Sequence, residues 1–411
     1  METLETRQLL ASNGFSGTYF NNLNFTGKTY TRVDSAVAMS WPDHRNPAPG
    51  IKGTSFSVRW STLLTPSKSS TYTFVTRNSD GVRLWVGGKL LIDSWKQSAT
   101  TSRSATMYLQ SGQRYDLRLE YYVNKRTANI SLSWGSARTP FGVVPPKNVF
   151  AYDTRIAAIG DYGKNNFYEN GTASLMQSWA PNAMITVGDN NYPRGEAPTI
   201  DANVGRYFHN YIAPYTGSYG AGAKTNAFFP TLGNHDWETQ SAKPFFDYFT
   251  LPGNERYYDV RIGSVHLFAL DSDPAEPDGT SSTSKQAQWL KQKLTASTAP
   301  FKIVYFHHAP FSSGEEGNTP YMDWPFNQWG ADAVVTGHNH VYERIVRNDT
   351  NYIVNGAGGF PGKILQPLIE GSVAQNNSDS GALLILASDT YLTLQYQLRS
   401  GQIVDTVTIV A

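Results

Sequence analysis

Residues 184–192 read Met-Ile-Thr-Val-Gly-Asp-Asn-Asn-Tyr, an apolar run that ends in a glycine and then in polar side chains. The apolar part predicts a short buried strand, and the glycine allows a sharp exit from strand to loop. Four other segments beyond residue 154 likewise end an apolar run in polar side chains. They are Ile159-Gly160-Asp161-Tyr162-Gly163, Leu232-Gly233-Asn234-His235-Asp236, Val304-Tyr305-Phe306-His307-His308 and Thr336-Gly337-His338-Asn339-His340.

These segments belong to a region in which predicted strands alternate with predicted helices, the pattern of a layered α/β domain. Helices are expected over 172–179 and 284–295, and the chain returns to strands in its last 60 residues. Open α/β sheets bind ligands at the carboxyl ends of their strands, so the five ends should converge on one crevice. Their side chains are oxygen and nitrogen ligands, which predicts a metal site there.

The chain before residue 154 has a different organisation. Residues 14–140 read almost wholly as short strands separated by turns such as Asn78-Ser79-Asp80-Gly81, which predicts an all-β sandwich. Residues 141–153 contain a Pro-Pro step and few charges, as expected of a short, stiff linker. The predicted architecture is therefore multidomain: an N-terminal extension over 1–13, the sandwich over 14–140, the linker, and an α/β domain over 154–411.

Composition excludes several classes of function. The 411 residues include no cysteine, so disulfides, zinc ribbons, iron–sulfur clusters and thiol nucleophiles are ruled out. A net charge of +1 offers no electrostatic footprint for nucleic acid. The sequence contains no run of 18 or more apolar residues, so it predicts no transmembrane segment.

The cellular location is open between two readings. The first ten residues, METLETRQLL, lack the basic and apolar regions of a signal peptide, which fits a cytoplasmic protein or a mature form whose leader is absent from this chain. We expect the second, with an extracellular or periplasmic location. Asn-x-Ser/Thr sequons would make the protein a glycoprotein in a glycosylating host. They begin at Asn24, Asn129, Asn170, Asn348 and Asn376.

The five strand-end segments together resemble the calcineurin-like metallophosphoesterases, and more narrowly the purple acid phosphatases. In that family an Asp-x-x-Tyr motif supplies a phenolate to iron(III), and Asp189-Asn190-Asn191-Tyr192 matches it. The resemblance covers about 154–360, including Gly356-Ala357-Gly358-Gly359-Phe360. It implies a β-sandwich flanked by helices for the second domain.

The resemblance also implies a binuclear centre of Fe(III) and a divalent Fe, Zn or Mn ion, with Asp189 bridging both. The hard oxygen ligands suit the trivalent ion, whereas imidazoles and an amide oxygen suit the divalent one. A metal-bound hydroxide would attack phosphorus in line, so no protein nucleophile is needed. The ligands implied for Fe(III) are Asp161, Asp189, Tyr192 and His340, and those for the divalent ion are Asn234, His307 and His338.

Three further side chains are expected near the reaction. His235 follows the amide ligand and is a candidate proton donor to the leaving group, or else a residue that orients a ligand. His308 is an alternative metal ligand, since a His-x-Pro pattern also fits through Pro310. In the small branch of the family a histidine lies nine residues after the strand-end ligand, and counting from His307 reaches Glu316. A carboxylate there would repel substrate at neutral pH and favour an acidic optimum, unless this is a surface loop with a shifted alignment.

The first domain resembles the β-sandwich of the bacterial toxin protective-antigen type. The residues that carry this likeness are Phe15-Ser16-Gly17-Thr18-Tyr19-Phe20, Phe56-Ser57-Val58-Arg59-Trp60, Asp80-Gly81-Val82-Arg83-Leu84-Trp85-Val86 and Leu91-Ile92-Asp93-Ser94-Trp95. Some such domains bind sugars through calcium held by two adjacent aspartates, but here the pair reads Ser79-Asp80. The missing carboxylate disfavours calcium-dependent sugar binding, which leaves a sugar-binding platform without calcium, or a spacer or docking surface, as the favoured expectations.

The leading prediction is a binuclear metal-dependent acid phosphatase that hydrolyses phosphate monoesters, with a targeting module in front. Two alternatives stay open. One is a metallophosphodiesterase, and the other is a carbohydrate-binding adhesion protein with a vestigial phosphatase domain. The expected partners are a phosphate ester and a glycan or cell-surface polysaccharide.

Overall fold

The structure is a computed structural model that describes residues 13–26, 28–124 and 127–411. The chain divides into two compact units, the first ending at Asp153 and the second comprising Thr154–Ala411. Among the described residues, no helix combines the length and the apolar character needed to cross a bilayer.

The first unit is built from antiparallel strands. They are β1 (Phe15–Phe20), β2 (Thr29–Asp34), β3 (Ala38–Trp41), β4 (Ser55–Leu64), β5 (Ser70–Asn78), β6 (Gly81–Val86), β7 (Lys89–Ser94), β8 (Thr101–Leu109), β9 (Tyr115–Asn124), β10 (Ala128–Ser136), β11 (Thr139–Val143) and β12 (Val149–Phe150). One sheet has the order β2-β1-β4-β9-β6-β7, with β12 beside β4. The other has the order β11-β10-β5-β8, with β3 beside β10.

Alternating side chains fill the core of this unit. In β5 the side chains of Tyr72 and Phe74 are fully buried, while their neighbours along the strand are partly or fully exposed. Trp60 packs on Tyr121 with ring centroids 6.5 Å apart, and its indole N–H donates to the buried Asp34 carboxylate at 2.8 Å. The burial of apolar surface stabilises the sandwich, and buried polar groups such as the Asp34 carboxylate are hydrogen-bonded. The predicted all-β sandwich is confirmed.

The region expected as a linker, 141–153, is part of the first unit. Residues 146–148 form a 3₁₀ turn, and β12 pairs with β4. Val144 and Val149 are fully buried, and the Tyr152 hydroxyl donates to Asp116 at 2.5 Å. The Pro-Pro step suggested a stiff linker between the domains, but the two valines carry enough apolar surface to draw the segment onto the sheet.

The second unit combines two sheets with helices. Its strands are β13 (Thr154–Ile159), β14 (Ala183–Thr186), β15 (Phe228–Pro230), β16 (Tyr258–Ile262), β17 (Val265–Ala269), β18 (Phe301–His308), β19 (Ala333–Gly337), β20 (Tyr342–Arg347), β21 (Thr350–Asn355), β22 (Ser372–Asn376), β23 (Gly381–Ala387), β24 (Tyr391–Leu398) and β25 (Ile403–Val410). Its helices are α1 (Phe167–Ser178), α2 (Ala197–Ile200), α3 (Arg206–Phe208), α4 (Asn234–Trp237), α5 (Lys243–Tyr248), α6 (Lys285–Ala296) and α7 (Phe326–Trp329).

Parallel strands form one half of the first sheet and the centre of the second. The first has the order β15-β14-β13-β23-β24-β25, in which β13, β14 and β15 are parallel. The second has the order β16-β17-β18-β19-β21-β20-β22, in which β17, β18, β19 and β21 are parallel. Tyr258 of the second sheet donates to the Pro230 carbonyl of the first at 2.7 Å. The carboxyl ends of strands from both sheets therefore supply loops to one region.

Helices cover the outer faces of this sandwich. Leu290 and Leu294 of α6 pack in one buried cluster with Phe306 of β18 and Val334 of β19. The predicted α/β class is confirmed. Helix α1 begins at Phe167 rather than at the predicted residue 172, because the Asn166 side chain accepts from the Glu169 N–H and caps the first turn.

Candidate metal centre

The loops that follow the parallel strands turn sharply toward one another. Asp161 comes two residues after β13, Asp189 three residues after β14, and His338 directly after β19. All three have left-handed backbone, with φ of 54°, 52° and 67°. Such a conformation costs a non-glycine residue about 1–3 kcal/mol and persists where the surrounding structure fixes it. This backbone conformation directs the three polar side chains into the same crevice.

Four of the predicted residues form one group. Ligand atoms of Asp161, Asp189 and His340 all lie within 4.8 Å of one another. The Tyr192 hydroxyl donates to Asp189 Oδ2 at 2.8 Å and lies 3.2 Å from His340 Nε2. His340 Nε2 is also 3.4 Å from Asp161 Oδ1. The group offers two carboxylates, a phenol and an imidazole, the donor set expected for a hard trivalent cation.

A second group gathers around His307. Its Nε2 atom lies 3.0 Å from Asn234 Oδ1, 3.2 Å from His338 Nδ1 and 3.5 Å from Asp189 Oδ1. Asp189 therefore touches both groups, which is the position required of a bridging ligand.

The protonation of His307 shows that this space suits a cation. Burial lowers its pKa well below the ordinary value, so the ring is neutral. Its Nδ1 lies 2.8 Å from the Val187 carbonyl, which only accepts, and so Nδ1 carries the proton. The Nε2 lone pair then faces the oxygens of Asn234 and Asp189, which are acceptors as well. A metal ion would satisfy all three at once.

Burial also perturbs the acidic groups. Burial and, to a smaller extent, the nearby charge of Asp189 outweigh the opposing contacts of His340 and raise the pKa of Asp161 to about 7. Burial raises the pKa of Tyr192 well above its usual range. A bound cation would lower both pKa values by favouring the ionised forms. The two side chains are therefore suited to hold a metal.

His308, the alternative ligand, lies beside the second group. Its Nδ1 is 2.9 Å from Ser272 Oγ, and burial lowers its pKa to about 2. Its ring centroid is 4.5 Å from that of His338. The contacts to Asn234 and Asp189 come from His307, but one nitrogen each of His307, His308 and His338 lie within 4.8 Å of one another, so His308 stays the alternative ligand.

His235 stands at the mouth of the crevice in the short helix α4. Its Nδ1 is 2.6 Å from the Pro193 carbonyl, and its Nε2 is 3.9 Å from Asp189 Oδ2. The ring packs on Tyr192 with centroids 4.5 Å apart, and the side chain is 31% exposed. It can therefore reach both solvent and a group bound between the two sets of ligands.

Glu316 is exposed in the loop after β18. Its backbone N–H donates to Asn339 Oδ1 at 2.9 Å, and Asn339 lies between two predicted ligands. The charges of Asp189 and Glu316 both act to raise the pKa of His338, although burial lowers it overall. The loop is thus tied beside the second group.

Several supporting residues were missed by the sequence analysis. The buried Asp236 carboxylate accepts from the Gly233 N–H at 2.9 Å and from the Asn190 side chain at 2.8 Å, which holds two ligand loops together. Asp271 accepts from Trp237 Nε1 at 3.0 Å. Asp271 and Ser272 follow β17 just as the ligands follow their strands, so the same pattern could have identified them.

The Asp80 carboxylate of the first unit is fully buried. One oxygen accepts from the Ser98 N–H at 3.1 Å and the other from the Asn124 N–H at 2.9 Å. Both oxygens therefore accept hydrogen bonds from backbone N–H groups, which fits a structural role rather than calcium binding.

Comparison with known proteins agrees with both domains. Residues 11–144 match the family described as the PA14 domain, and residues 154–342 match the calcineurin-like phosphoesterases. A purple acid phosphatase of Glycine max is 26% identical over 330 residues, covering 74% of this chain and 66% of the relative. Anti-sigma-I factor RsgI3 of Acetivibrio thermocellus is 38% identical over 140 residues, covering 34% of this chain and 22% of the relative. The chain spans less than two thirds of the length of either relative.

A solved structure of GAP50, the anchor in the inner membrane complex of Plasmodium, has a TM-score of 0.50 and 15% identity, covering 62% of this chain and 88% of that one. This likeness concerns the fold alone. The chain therefore joins a PA14 domain to a calcineurin-like metallophosphoesterase domain that has purple acid phosphatases among its relatives.

Proposed function

We propose that the second domain is a binuclear metal-dependent acid phosphatase that hydrolyses phosphate monoesters. The observation that carries the proposal is the convergence of acceptor atoms around Asp189, which contacts Tyr192 on one side and His307 on the other. Bound cations would supply an activated water for in-line attack and would compensate the charge of the phosphoryl oxygens. Fe(III) would be held by Asp161, Asp189, Tyr192 and His340, and a divalent Fe, Zn or Mn ion by Asp189, Asn234, His307 and His338.

Metal content and colour test this proposal. After loading with iron and zinc, the full chain should hold two ions, absorb visible light through a tyrosinate-to-iron(III) transition, and turn over an aryl monoester faster than a diester. Tyr192→Phe should lose the absorption band while keeping the fold, because only the phenolate oxygen is removed. A colourless protein that holds zinc or manganese and prefers the diester would instead support a metallophosphodiesterase.

His235 is proposed to donate the proton to the leaving oxygen. The Pro193 carbonyl lies 2.6 Å from Nδ1, and Nε2 lies 3.9 Å from Asp189 Oδ2, on the side where the ester would bind. We expect His235→Asn to lower kcat about a hundredfold for an alkyl phosphate, the usual effect of losing a general acid, and much less for 4-nitrophenyl phosphate, whose leaving group needs no proton. Steady-state kinetics with both esters measures this, and His44→Asn, an exposed site in the first domain, is the control. Equal losses for both esters would argue for an orienting role.

Glu316 is proposed to disfavour substrate at neutral pH. Its carboxylate is exposed beside His338 and carries the same sign of charge as the phosphate. We expect Glu316→Gln to raise kcat/KM at pH 7 by about threefold to tenfold, and the gain to shrink with added salt because screening weakens the repulsion. Glu315→Gln, which changes a neighbour paired with Lys363 at 3.2 Å, is the control. An unchanged kcat/KM at low salt would place Glu316 outside substrate reach.

We propose glycan binding for the first domain, which would place the enzyme at a cell surface or in another extracytoplasmic compartment. Half-buried aromatic side chains support this, since Trp95 stacks on Phe25 and meets Tyr122 edge-on, and such rings bind sugars. The backbone contacts of Asp80 speak against calcium. Binding of the full chain to a glycan array should therefore be insensitive to EDTA. Glycan binding with no turnover of any phosphate ester would favour the adhesion protein.

A further inference from the structure

Lys164 is fixed at the rim of the candidate metal centre. Its backbone N–H donates to Glu169 Oε2 at 3.0 Å, and Glu169 is buried in the first turn of α1. Its Nζ atom lies 3.6 Å from the ring centroid of Phe360 and 4.7 Å from that of Tyr192. The Phe360 ring also meets the His340 ring, with 4.1 Å between centroids. Cation–π contacts thus hold the ammonium beside two predicted ligands.

This ammonium makes no ion pair with the residues that the structure describes, since none of their carboxylates lies within 4.0 Å of Nζ. Two other basic side chains of this domain are paired with acids. Arg194 is 3.5 Å from Glu238, and Lys363 is 3.2 Å from Glu315. A lysine that is fixed beside the candidate metal centre, with the charge of Asp189 nearby but no carboxylate in direct contact, is suited to an anionic oxygen of a ligand.

We propose that Lys164 binds the second phosphate of substrates that carry two adjacent phosphates, such as inorganic diphosphate or a nucleoside diphosphate. The inference rests on the proposed function, in which the transferred phosphoryl group sits among the metal ligands. The lysine contacts the Tyr192 and Phe360 rings at the edge of that group, where the neighbouring phosphate would lie. A simple aryl ester has no anionic group to place there.

The chemistry of the leaving group gives the lysine a role in the reaction. Water oxygen forms a new bond to the terminal phosphorus, and the bond from that phosphorus to the bridging oxygen breaks. The bonding electron pair leaves with the bridging oxygen on the departing phosphate. That phosphate gains negative charge, which the adjacent ammonium stabilises. A proton of the attacking water is released to solvent.

Calorimetric binding to the metal-loaded full chain tests the inference with inorganic phosphate and inorganic diphosphate as probes. Lys164→Met removes the charge but keeps an apolar side chain against the two rings. We expect it to lower the ratio of diphosphate to phosphate affinity about tenfold, the effect of losing one charge-assisted hydrogen bond. Lys164→Arg should keep most of the ratio. Lys363→Met, which removes an exposed and paired lysine, should leave it unchanged.

The outcomes separate this inference from the proposed function. If Lys164→Met weakens both anions equally or neither, the inference is wrong even though the enzyme is a phosphatase. If the wild-type chain binds metals and both anions with the expected ratio change but hydrolyses no ester, the phosphatase proposal fails and the diphosphate site stands. A wild-type chain that binds neither metal nor diphosphate overturns both.

Discussion

Asp189→Asn is expected to lower kcat/KM for a phosphate monoester about a thousandfold or more and to reduce the bound metal from two ions to one or none. Asp189 contacts Tyr192 on one side and His307 on the other, so its carboxylate joins the two groups of predicted ligands. An amide is neutral and bridges poorly, and the loss of several kcal/mol of electrostatic stabilisation corresponds to this factor. Elemental analysis of the purified variant together with steady-state kinetics measures both effects.

A matched control is Asp247→Asn, which makes the same change in an exposed side chain paired with Lys243 on α5. It should alter neither metal content nor rate. Thermal unfolding of the metal-free variants shows whether Asp189→Asn still folds. A folded Asp189→Asn protein that keeps two ions and more than a tenth of the activity would contradict the proposal that Asp189 bridges the two metal ions.

Gly233→Ala is expected to lower activity at least a hundredfold although the residue carries no functional group. A Cβ at this position would lie 2.2 Å from Asp189 Oδ1 and 2.4 Å from the Asp189 backbone nitrogen. Both atoms must move to admit a methyl group, and a displacement of about 1 Å in a catalytic constellation costs about a hundredfold. We also expect a loss of about 1–3 kcal/mol in the free energy of unfolding, because the site is tightly packed.

Activity assays and chemical denaturation of the variant test this expectation. Gly142→Ala is the control, because a Cβ there meets no atom within 4 Å. If Gly233→Ala retains full activity with an unchanged metal content, the Asp189 loop can admit a methyl group without loss, and the expectation that this contact positions Asp189 is wrong.

The sequence predicted the parts of the site that depend on local pattern. Apolar runs followed by polar residues identify strand ends, and the carboxyl ends of parallel strands meet at one edge. For this reason Asp161, Asp189 and His338 could be expected together before their positions were known. Tyr192 and His340 came from the resemblance rather than from the pattern alone. Their roles as ligands remain predictions, although the side chains do converge.

The residues that escaped prediction act through contacts between distant parts of the chain. Asp236 reads as one more acid beside a histidine, and its bonds to Asn190 appear only when two loops meet. In the sequence Lys164 looks like an ordinary surface lysine. Its contact with the Phe360 ring is seen only in the structure, because Phe360 lies far along the chain. Similarly, the burial of Val149 against β4 could not be predicted from a Pro-Pro step that suggests a stiff linker.

The left-handed backbone at Asp161, Asp189 and His338 bears on any attempt to transplant this centre into a designed protein. Copying the seven side chains onto a new scaffold would reproduce the donor atoms but not the unfavourable dihedral angles that aim them. In an unconstrained loop those angles would relax and the donors would drift apart. A successful graft must carry the flanking strands and their close-packed glycines as one block.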